Sequence, residues 1–235
     1  MKMKAVIMAG GKGTRLRPYT TSIPKPLVPV GEKAIIEILL NRLKKVGVDE
    51  VFICLNHFAE MITAFLGNGN KFGLKINYSL EDRPLSTVAP LKLIRDLPDD
   101  FLVMNGDLLT DLDFSRLFQY HLQDSSLLTV ATYQRTTKID FGVIEIDPAS
   151  NTASGFREKP EYRFDVSMGV YAMNKKILSF VPDNEPFGFD HLMLKLLETH
   201  QRIAVFPYDG YWLDIGRPDD YEKANEDIQK IAGLL

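Results

Sequence analysis

One cysteine, one tryptophan and four histidines in 235 residues remove several chemistries at the outset. Cys54 has no second cysteine to pair with, so the chain holds no internal disulfide, and its place in the apolar run 51–55 marks a buried structural thiol. His57, His121, His191 and His200 are scattered through predicted helices without zinc spacing and without a serine or cysteine partner pattern. They read as structural or surface residues. A strong charge of one sign is also missing. The formal net charge is −3, so no global basic field draws the chain to nucleic acid or to an anionic membrane. No apolar stretch approaches ~20 residues and no signal-peptide pattern is present, which leads to the expectation of a cytoplasmic protein with no membrane partner. Two nucleotide-binding signatures are absent as well: no Gly-Lys-Ser/Thr follows at Walker A spacing, and Gly-x-Gly-x-x-Gly does not occur. A nicotinamide-dependent oxidoreductase therefore lacks its glycine fingerprint.

What is present is concentrated near the start. Residues 5–8 form a short apolar run suited to a strand buried on both faces. Gly10, Gly11 and Gly13 follow within four residues. Glycine permits positive φ and lets a phosphate approach without a Cβ in the way, and successive backbone N–H groups in such a turn form an anion-binding concavity. Lys12, Arg15, Arg17 and Lys25 place four cations within fourteen residues, with no acid between them. Pro24, Pro26 and Pro29 stiffen the segment that carries Lys25. A glycine-rich surface turn would explain the glycines alone; the cations on a stiff arm add a place to hold a polyphosphate. A local basic cluster on an acidic chain implies a discrete anion site.

Hydrophobic spacing predicts helices over 35–46, 57–66, 89–94, 114–122, 175–180, 189–200 and 219–232. It predicts strands over 5–8, 51–55, 75–78, 101–104, 127–132, 141–146, 166–173 and 203–207. Gly47 stops the first helix, and 147–151 marks a tight turn. Alternating strands and helices indicate right-handed βαβ units and a mostly parallel sheet. Ligands in such sheets sit beyond the carboxyl ends of the strands. The glycine loop and Asp107 both fall there. Asp107, beside Gly106, is a candidate metal ligand or a turn aspartate. Asp214, in Trp212-Leu213-Asp214-Ile215-Gly216-Arg217-Pro218, is a second candidate or a turn before the last helix. Mg²⁺ takes hard oxygens, commonly one or two carboxylates with phosphate and water. Glu158-Lys159-Pro160 pairs an acid with a base on a turn, an arrangement that is usually solvated surface charge.

Gly10-Gly11-x-Gly13-Thr14-Arg15-Leu16, followed by Pro24-Lys25-Pro26, resembles the signature of the sugar-1-phosphate nucleotidyltransferases, the NDP-sugar pyrophosphorylases. The likeness spans nearly the whole chain and is nearest to short mannose-1-phosphate guanylyltransferase-like members. Members often carry a C-terminal β-helix domain, and the expectation here is the catalytic core alone. The resemblance implies a three-layer α/β/α Rossmann-like, GT-A-like fold with a mostly parallel mixed central sheet. It implies one domain over 1–235, with a nucleotide-binding half at 1–110 and a sugar-phosphate-binding half at 111–235. By the same resemblance Arg15, Lys25 and Asp107 are catalytic. Ala9, Gly10, Gly11, Lys12, Gly13, Thr14, Arg15, Glu81, Ser86 and Thr87 bind nucleotide. Gly142, Glu158, Lys159 and Gly169 bind the sugar phosphate, and Asp107 with Asp214 holds Mg²⁺.

The implied partners are an NTP and a sugar 1-phosphate, with a homo-oligomer left open. The family's Pro-Leu-Gly-Thr-Ala-Gly stretch stands here as Pro84-Leu85-Ser86-Thr87-Val88-Ala89, so Cβ atoms at 86 and 89 are expected to narrow the base pocket. Glu81 is placed to accept from guanine, which favours GTP. Met168 departs from the Asn or small residue that most members have before the second sugar-pocket glycine. Mannose 1-phosphate or a related hexose or heptose 1-phosphate is favoured as the acceptor. The alternatives are a uridylyl-, thymidylyl- or cytidylyltransferase acting on another sugar 1-phosphate, and a non-catalytic NDP-sugar-binding regulatory subunit. Such a subunit tends to lose the loop arginine, the lysine or a metal aspartate. This chain keeps Arg15, Lys25, Asp107, Glu158, Lys159 and Asp214.

Overall fold

The computed structural model describes residues 3–228 and 231. Among these the strands are β1 (Lys4–Met8), β2 (Pro29–Val30), β3 (Lys33–Ala34), β4 (Glu50–Leu55), β5 (Lys75–Leu80), β6 (Asp100–Asn105) and β7 (Leu108–Thr110), then β8 (Leu128–Lys138), β9 (Val143–Asp147), β10 (Thr152–Arg157), β11 (Glu161–Asn174), β12 (Ile203–Tyr208) and β13 (Trp212–Asp214). The α-helices are α1 (Ile35–Lys45), α2 (Ala59–Leu66), α3 (Phe114–Asp124), α4 (Phe189–Glu198) and α5 (Pro218–Asp227). Seven strands form one sheet in the order β12-β8-β11-β6-β1-β4-β5. The pairs β12/β8, β6/β1, β1/β4 and β4/β5 are parallel, whereas β11 runs antiparallel to both of its neighbours. The sheet is mixed and mostly parallel.

Its central strands are apolar on both faces because both faces are covered. Ala5 and Ile7 of β1 pack with Val51, Ile53 and Leu55 of β4 beneath α1, α2 and α3, which contribute Ile36, Leu40, Ile62, Phe114 and Leu117. Val6, Phe52, Cys54 and Val103 point the other way, toward Leu192 and Leu196 of α4 and toward Leu91 and Ile177 of two 3-10 turns. Three layers result. Cys54 is fully buried, and burial together with the charge of Glu81 pushes its thiol pKa well up. That is an inert thiol.

Local chemistry sets the helix ends. Asp113 caps α3 by accepting from the Ser115 and Arg116 N–H groups at 2.9 and 3.3 Å. Gly47 stops α1 at φ +90°. Residues 89–94 form a 3-10 turn, Ala89–Leu93, in place of the expected α-helix. Pro90 stands at its start, and the Val88 and Ala89 N–H groups donate to Phe187 O at 3.0 and 3.1 Å. Residues 175–180 likewise form a 3-10 turn. The strands β8 and β11 run several residues beyond the spacing-based limits. Their outer halves, Tyr133–Lys138 against Glu161–Val166, pair with each other as a mostly exposed ribbon with no buried face to mark them in the sequence. The last helix is described to Asp227, and residues 229, 230 and 232 of the expected helix lie outside the described residues. Among the described residues no helix is long and apolar enough to cross a membrane.

Glu50 ties three strands together. It sits in register between Lys4 of β1 and Lys75 of β5, and accepts from Lys4 at 2.6 Å, Lys75 at 2.7 Å and Asn77 at 2.9 Å. Burial opposes its charge, yet these three donors outweigh burial and bring its pKa down to about 2. A depressed carboxyl pKa contributes stability that is complete above the unfolded value, ~4.3, and is lost as the pH falls toward the folded value. Glu50→Gln should therefore lower stability at pH 7 by about 1 kcal/mol. The gap between variant and wild type should shrink as the pH falls from about 4 to about 2, as read by urea denaturation at each pH.

Candidate active site

Three parallel strands end side by side and hand their next residues to one rim. Met8 is in register with Cys54 and Asn105. Beyond that line Ala9 N–H donates to Cys54 O at 2.9 Å, Gly106 N–H to Met8 O at 3.0 Å and Glu81 N–H to Leu55 O at 2.9 Å. The segments after β1, β4, β5 and β6 thereby surround a cleft of about 630 Å³. Its walls include Ala9, Gly10, Gly11, Lys12, Gly13, Thr14, Arg15 and Lys25 from the glycine loop and its arm, Glu81, Ser86 and Thr87 from the segment after β5, and Asp107.

The glycine loop is held by one buried leucine. Thr14–Leu16 make a 3-10 turn in which Leu16 is fully buried, packed with Val28, Val30, Ile35 and Ile38, while Lys12, Thr14 and Arg15 stay exposed. Gly13 enters this turn at φ +62°, and its carbonyl accepts from Thr20 Oγ1 at 2.7 Å. A Cβ at Gly13 would stand 3.1 Å from Thr20 Cγ2 and 3.2 Å from Lys25 Cβ. The loop and the lysine arm are in direct contact there.

Lys25 lies in a 3-10 turn between Pro24 and Pro26 and is 9% exposed. Its ammonium forms an ion pair with Asp107 Oδ2 and stands 4.0 Å from Asp214 Oδ1. A short antiparallel ribbon brings the two aspartates together. β13 pairs with β7 so that Asp214 faces Leu108, and the Ile215 N–H donates to the Asp107 carbonyl at 3.1 Å. The Thr110 hydroxyl donates to Tyr211 O at 2.8 Å, and Tyr211 N–H to an Asp111 carboxylate oxygen at 2.7 Å. Oδ1 of Asp107 and Oδ1 of Asp214 are both buried without a hydrogen-bond partner. Burial and the nearby Asp107 charge push the Asp214 pKa up, against the pull of Lys25 and Arg15. Two carboxylates that share one ammonium, each with an oxygen that no hydrogen bond satisfies, are a donor set suited to a hard cation. Among the described residues no group of three or more His, Cys, Asp or Glu could hold a metal, so phosphate and water would complete any coordination here.

On the other flank Glu81 is 9% exposed, and its Oε2 accepts from Leu85 N–H at 2.8 Å. Burial raises its pKa against that hydrogen bond. Ser86 holds φ +70°, the left-handed backbone that a glycine would adopt without strain. Ala89 departs from the expected narrowing of the pocket: it is buried in the core beside Val88 and Leu91 and is not part of the cleft wall. Thr87 Oγ1 accepts from Phe189 N–H at 2.9 Å. A smaller cavity of about 180 Å³ adjoins the cleft through Met8, Thr87 and Asn105, and is lined on its far side by Tyr171 stacked on Phe189 with ring centroids 4.0 Å apart.

The expected sugar-phosphate residues lie farther out. Gly142 is set against Phe156 and Glu158, since a Cβ there would stand 2.6 Å from the Phe156 ring and 3.2 Å from Glu158 Oε2. Lys159, at φ +43°, joins β10 to β11. The cleft wall does not include Gly142, Glu158 or Lys159. Gly169, at φ +71° in the irregular stretch of β11, presses on Asn105, which does line the cleft. Trp212 Nε1–H donates to Met168 O at 3.0 Å and so ties this bulge to the carboxylate ribbon. Asn56, Asn105 and Gly216 also line the cleft and were not singled out from sequence. Asn56 and Asn105 each follow an apolar strand core, which is the available signal.

Residues 4–231 match the Nucleotidyl transferase family model. The chain belongs to that family. It is 33% identical over 225 residues to mannose-1-phosphate guanylyltransferase catalytic subunit beta of Dictyostelium discoideum, covering 93% of this chain and 62% of the relative. It is 31% identical over 230 residues to D-glycero-alpha-D-manno-heptose 1-phosphate guanylyltransferase of Aneurinibacillus thermoaerophilus, covering 97% of this chain and 99% of the relative. The crystal structure of HddC from Yersinia pseudotuberculosis superposes with a TM-score of 0.75 at 28% identity, covering 96% of this chain and 99% of that one; HddC has also been solved complexed with GMP-PN. Both guanylyl- and uridylyltransferases are among the relatives, and the chain spans just under two thirds of the length of most of them.

The glycine loop yields a paired prediction. Gly13→Ala forces a Cβ into a left-handed position in contact with Thr20 and Lys25, and should cost about 1–2 kcal/mol. Gly11→Ala, with nothing within 4 Å of the added Cβ, should stay within about 0.5 kcal/mol of wild type. Denaturant titration checks both.

Proposed function

We propose that the protein condenses an NTP with a sugar 1-phosphate to give an NDP-sugar and pyrophosphate. The observation that carries this reading is one cleft in which a cationic glycine loop meets Lys25 and Asp107, with Asp214 outside the cleft wall but within 4.0 Å of the same ammonium. An oxygen of the sugar phosphate attacks the nucleotide α-phosphorus, a new P–O bond forms, and the bond to the β-phosphate breaks to release pyrophosphate. The nucleophile is already anionic at neutral pH, so no general base is needed. Positioning and electrostatics then carry most of the acceleration.

In this reading the Gly11–Thr14 backbone and Arg15 hold the β- and γ-phosphates, with Ala9, Gly10 and Lys12 completing the loop. Lys25 neutralises charge at the reacting phosphates. Asp107 and Asp214 would hold Mg²⁺, which when bound supplies positive charge against the phosphate oxygens. Glu81, Ser86 and Thr87 face the base, and Glu81 as an acceptor favours the N1–H and amino group of guanine. Gly142, Glu158, Lys159 and Gly169 take the sugar phosphate: a carboxylate accepts from sugar hydroxyls, and an ammonium complements the phosphate. Because Gly142, Glu158 and Lys159 are outside the cleft wall, the sugar half of the site is completed outward, along the β9–β10 hairpin. GTP with mannose 1-phosphate or a related heptose 1-phosphate is the favoured pair, supported by the two guanylyltransferase relatives. An NTP substrate suits a cytoplasmic location.

Pyrophosphate release across four NTPs and several sugar 1-phosphates, with Mg²⁺ and with EDTA, tests the reading. One productive pair that is silenced by EDTA is expected. Silence for every pair, with tight binding of an NDP-sugar, would instead make the protein a binding subunit. Lys25→Ala and Arg15→Ala should each lower kcat by about 10²–10³-fold. A near-wild-type kcat in either folded variant removes that residue from the mechanism.

A further inference from the structure

The cluster at the end of the cleft carries more than the assignment of a metal site. Two carboxylates, Asp107 and Asp214, face two cations. The Lys25 ammonium rests on Asp107 Oδ2 and stands 4.0 Å from Asp214 Oδ1. The Arg15 guanidinium lies on the same side. Its Cζ would be 3.9 Å from a Cβ built on Gly216, and Asp214 Oδ1 would be 3.8 Å from that same point. The Asp220 carboxylate, held by the Gly216 and Arg217 N–H groups, comes within 3.6 Å of that point as well, so carboxylates outnumber cations there. Of the two ligands a divalent cation would use, however, Asp107 already holds an ammonium.

Lys25 is also poorly placed to leave unaided. Its side chain is 10% exposed, and Pro24 and Pro26 restrict the backbone that carries it. An ammonium moved from a carboxylate into a mostly dry setting needs another anion, because stranding a buried charge is costly. The cleft supplies room for one: Lys25, Arg15 and Asp107 line the same 630 Å³ as the glycine loop. A bound polyphosphate would draw both cations off the aspartates at once.

We infer that Lys25 is a placeholder for the divalent cation: it occupies the Asp107–Asp214 pair in the nucleotide-free protein and releases it when a polyphosphate takes over the ammonium. This rests on the metal assignment in the proposed function. Metal and nucleotide binding are then positively coupled, and by linkage each tightens the other by the same factor. The same lysine that neutralises the phosphates keeps the metal site closed until phosphates are present.

The test measures Mn²⁺ binding to the full chain without nucleotide, from the free-ion electron paramagnetic resonance signal. Lys25→Met should bind Mn²⁺ at least 10-fold more tightly than wild type. Lys25→Arg, which keeps the charge, should show no such gain over wild type. Adding Asp107→Asn to Lys25→Met should abolish the gain and so locate it. Equal Mn²⁺ affinity in wild type and Lys25→Met overturns the inference, as does a gain that survives Asp107→Asn. If Lys25→Met does not fold, Lys25→Gln gives the same readout. Pyrophosphate release by the wild type, measured in parallel, separates the two readings. An active wild type with unchanged Mn²⁺ affinity in Lys25→Met defeats only the placeholder. A silent wild type with the gain present defeats only the proposed reaction.

Discussion

The Lys25 ammonium between two aspartates is the constraint around which the cleft is built. The two carboxylates repel each other, the Asp107 charge helping to raise the Asp214 pKa, and the shared ammonium offsets that repulsion. Removing one partner from such a cluster strands the rest, at a cost of about 3–5 kcal/mol when the pair is well buried. Several parts of the molecule serve to keep this meeting in place. The β7/β13 ribbon brings Asp214 to Asp107, and the prolines on either side of Lys25 hold its backbone. Leu16, Leu109, Leu213 and Ile215 share one apolar cluster beneath the site with Ile35 and Ile38 of α1 and Ala224 of α5. The opening loop, the ribbon and the last helix are thus anchored in common, and a disturbance in one is felt by the charges above.

The rest of the sheet sets the stage for that cluster. β1 lies between β4 and β6, and all three are parallel, so the loops at their carboxyl ends gather on one rim. The glycine loop and its cations meet Asp107 and Asp214 at one end of the rim, with Lys25 in contact with the pair. Such a site separates the two tasks of a phosphoryl-group reaction: to hold a polyanion, and to offer a seat for the metal that accompanies it. The β8–β11 ribbon and the β9–β10 hairpin carry Gly142, Glu158 and Lys159 away from this rim. The rim is packed on both faces of the sheet, while the hairpin is a two-stranded unit with Ile144, Ile146 and Phe156 exposed.

How much of this could be read from the chain depended on locality. The strand–glycine–cation stretch is contiguous, so its residues predict their own neighbourhood, and Gly10 through Arg15 do line one cleft with Lys25. Strands buried on both faces were legible because their apolar runs are unbroken. The meeting of Asp107 and Asp214 was legible only through family resemblance, since it depends on three-residue strands 100 or so positions apart whose pairing leaves no period in the sequence. The outer halves of β8 and β11 escaped for a related reason: Tyr162, Phe164 and Val166 alternate with charged residues, but this face is mostly exposed and β8 opposite it is largely polar, so no buried stripe marks the pair. Ser86 taught a different lesson. Cβ atoms at 86 and 89 were expected to narrow the base pocket; Ser86 does line the cleft, at a φ of +70°, but Ala89 is instead a core residue.

The central claim is that the glycine loop holds the triphosphate while Asp107 and Asp214 hold its metal. A crystal structure of the protein with Mn²⁺ and a non-hydrolysable GTP analogue addresses it directly, with manganese located by anomalous scattering. The account predicts a manganese peak bound by both aspartates, β- and γ-phosphates on the Gly11–Thr14 backbone and Arg15, and the Lys25 ammonium moved from Asp107 to phosphate. A triphosphate bound away from the loop, or manganese bound by neither aspartate, would contradict it.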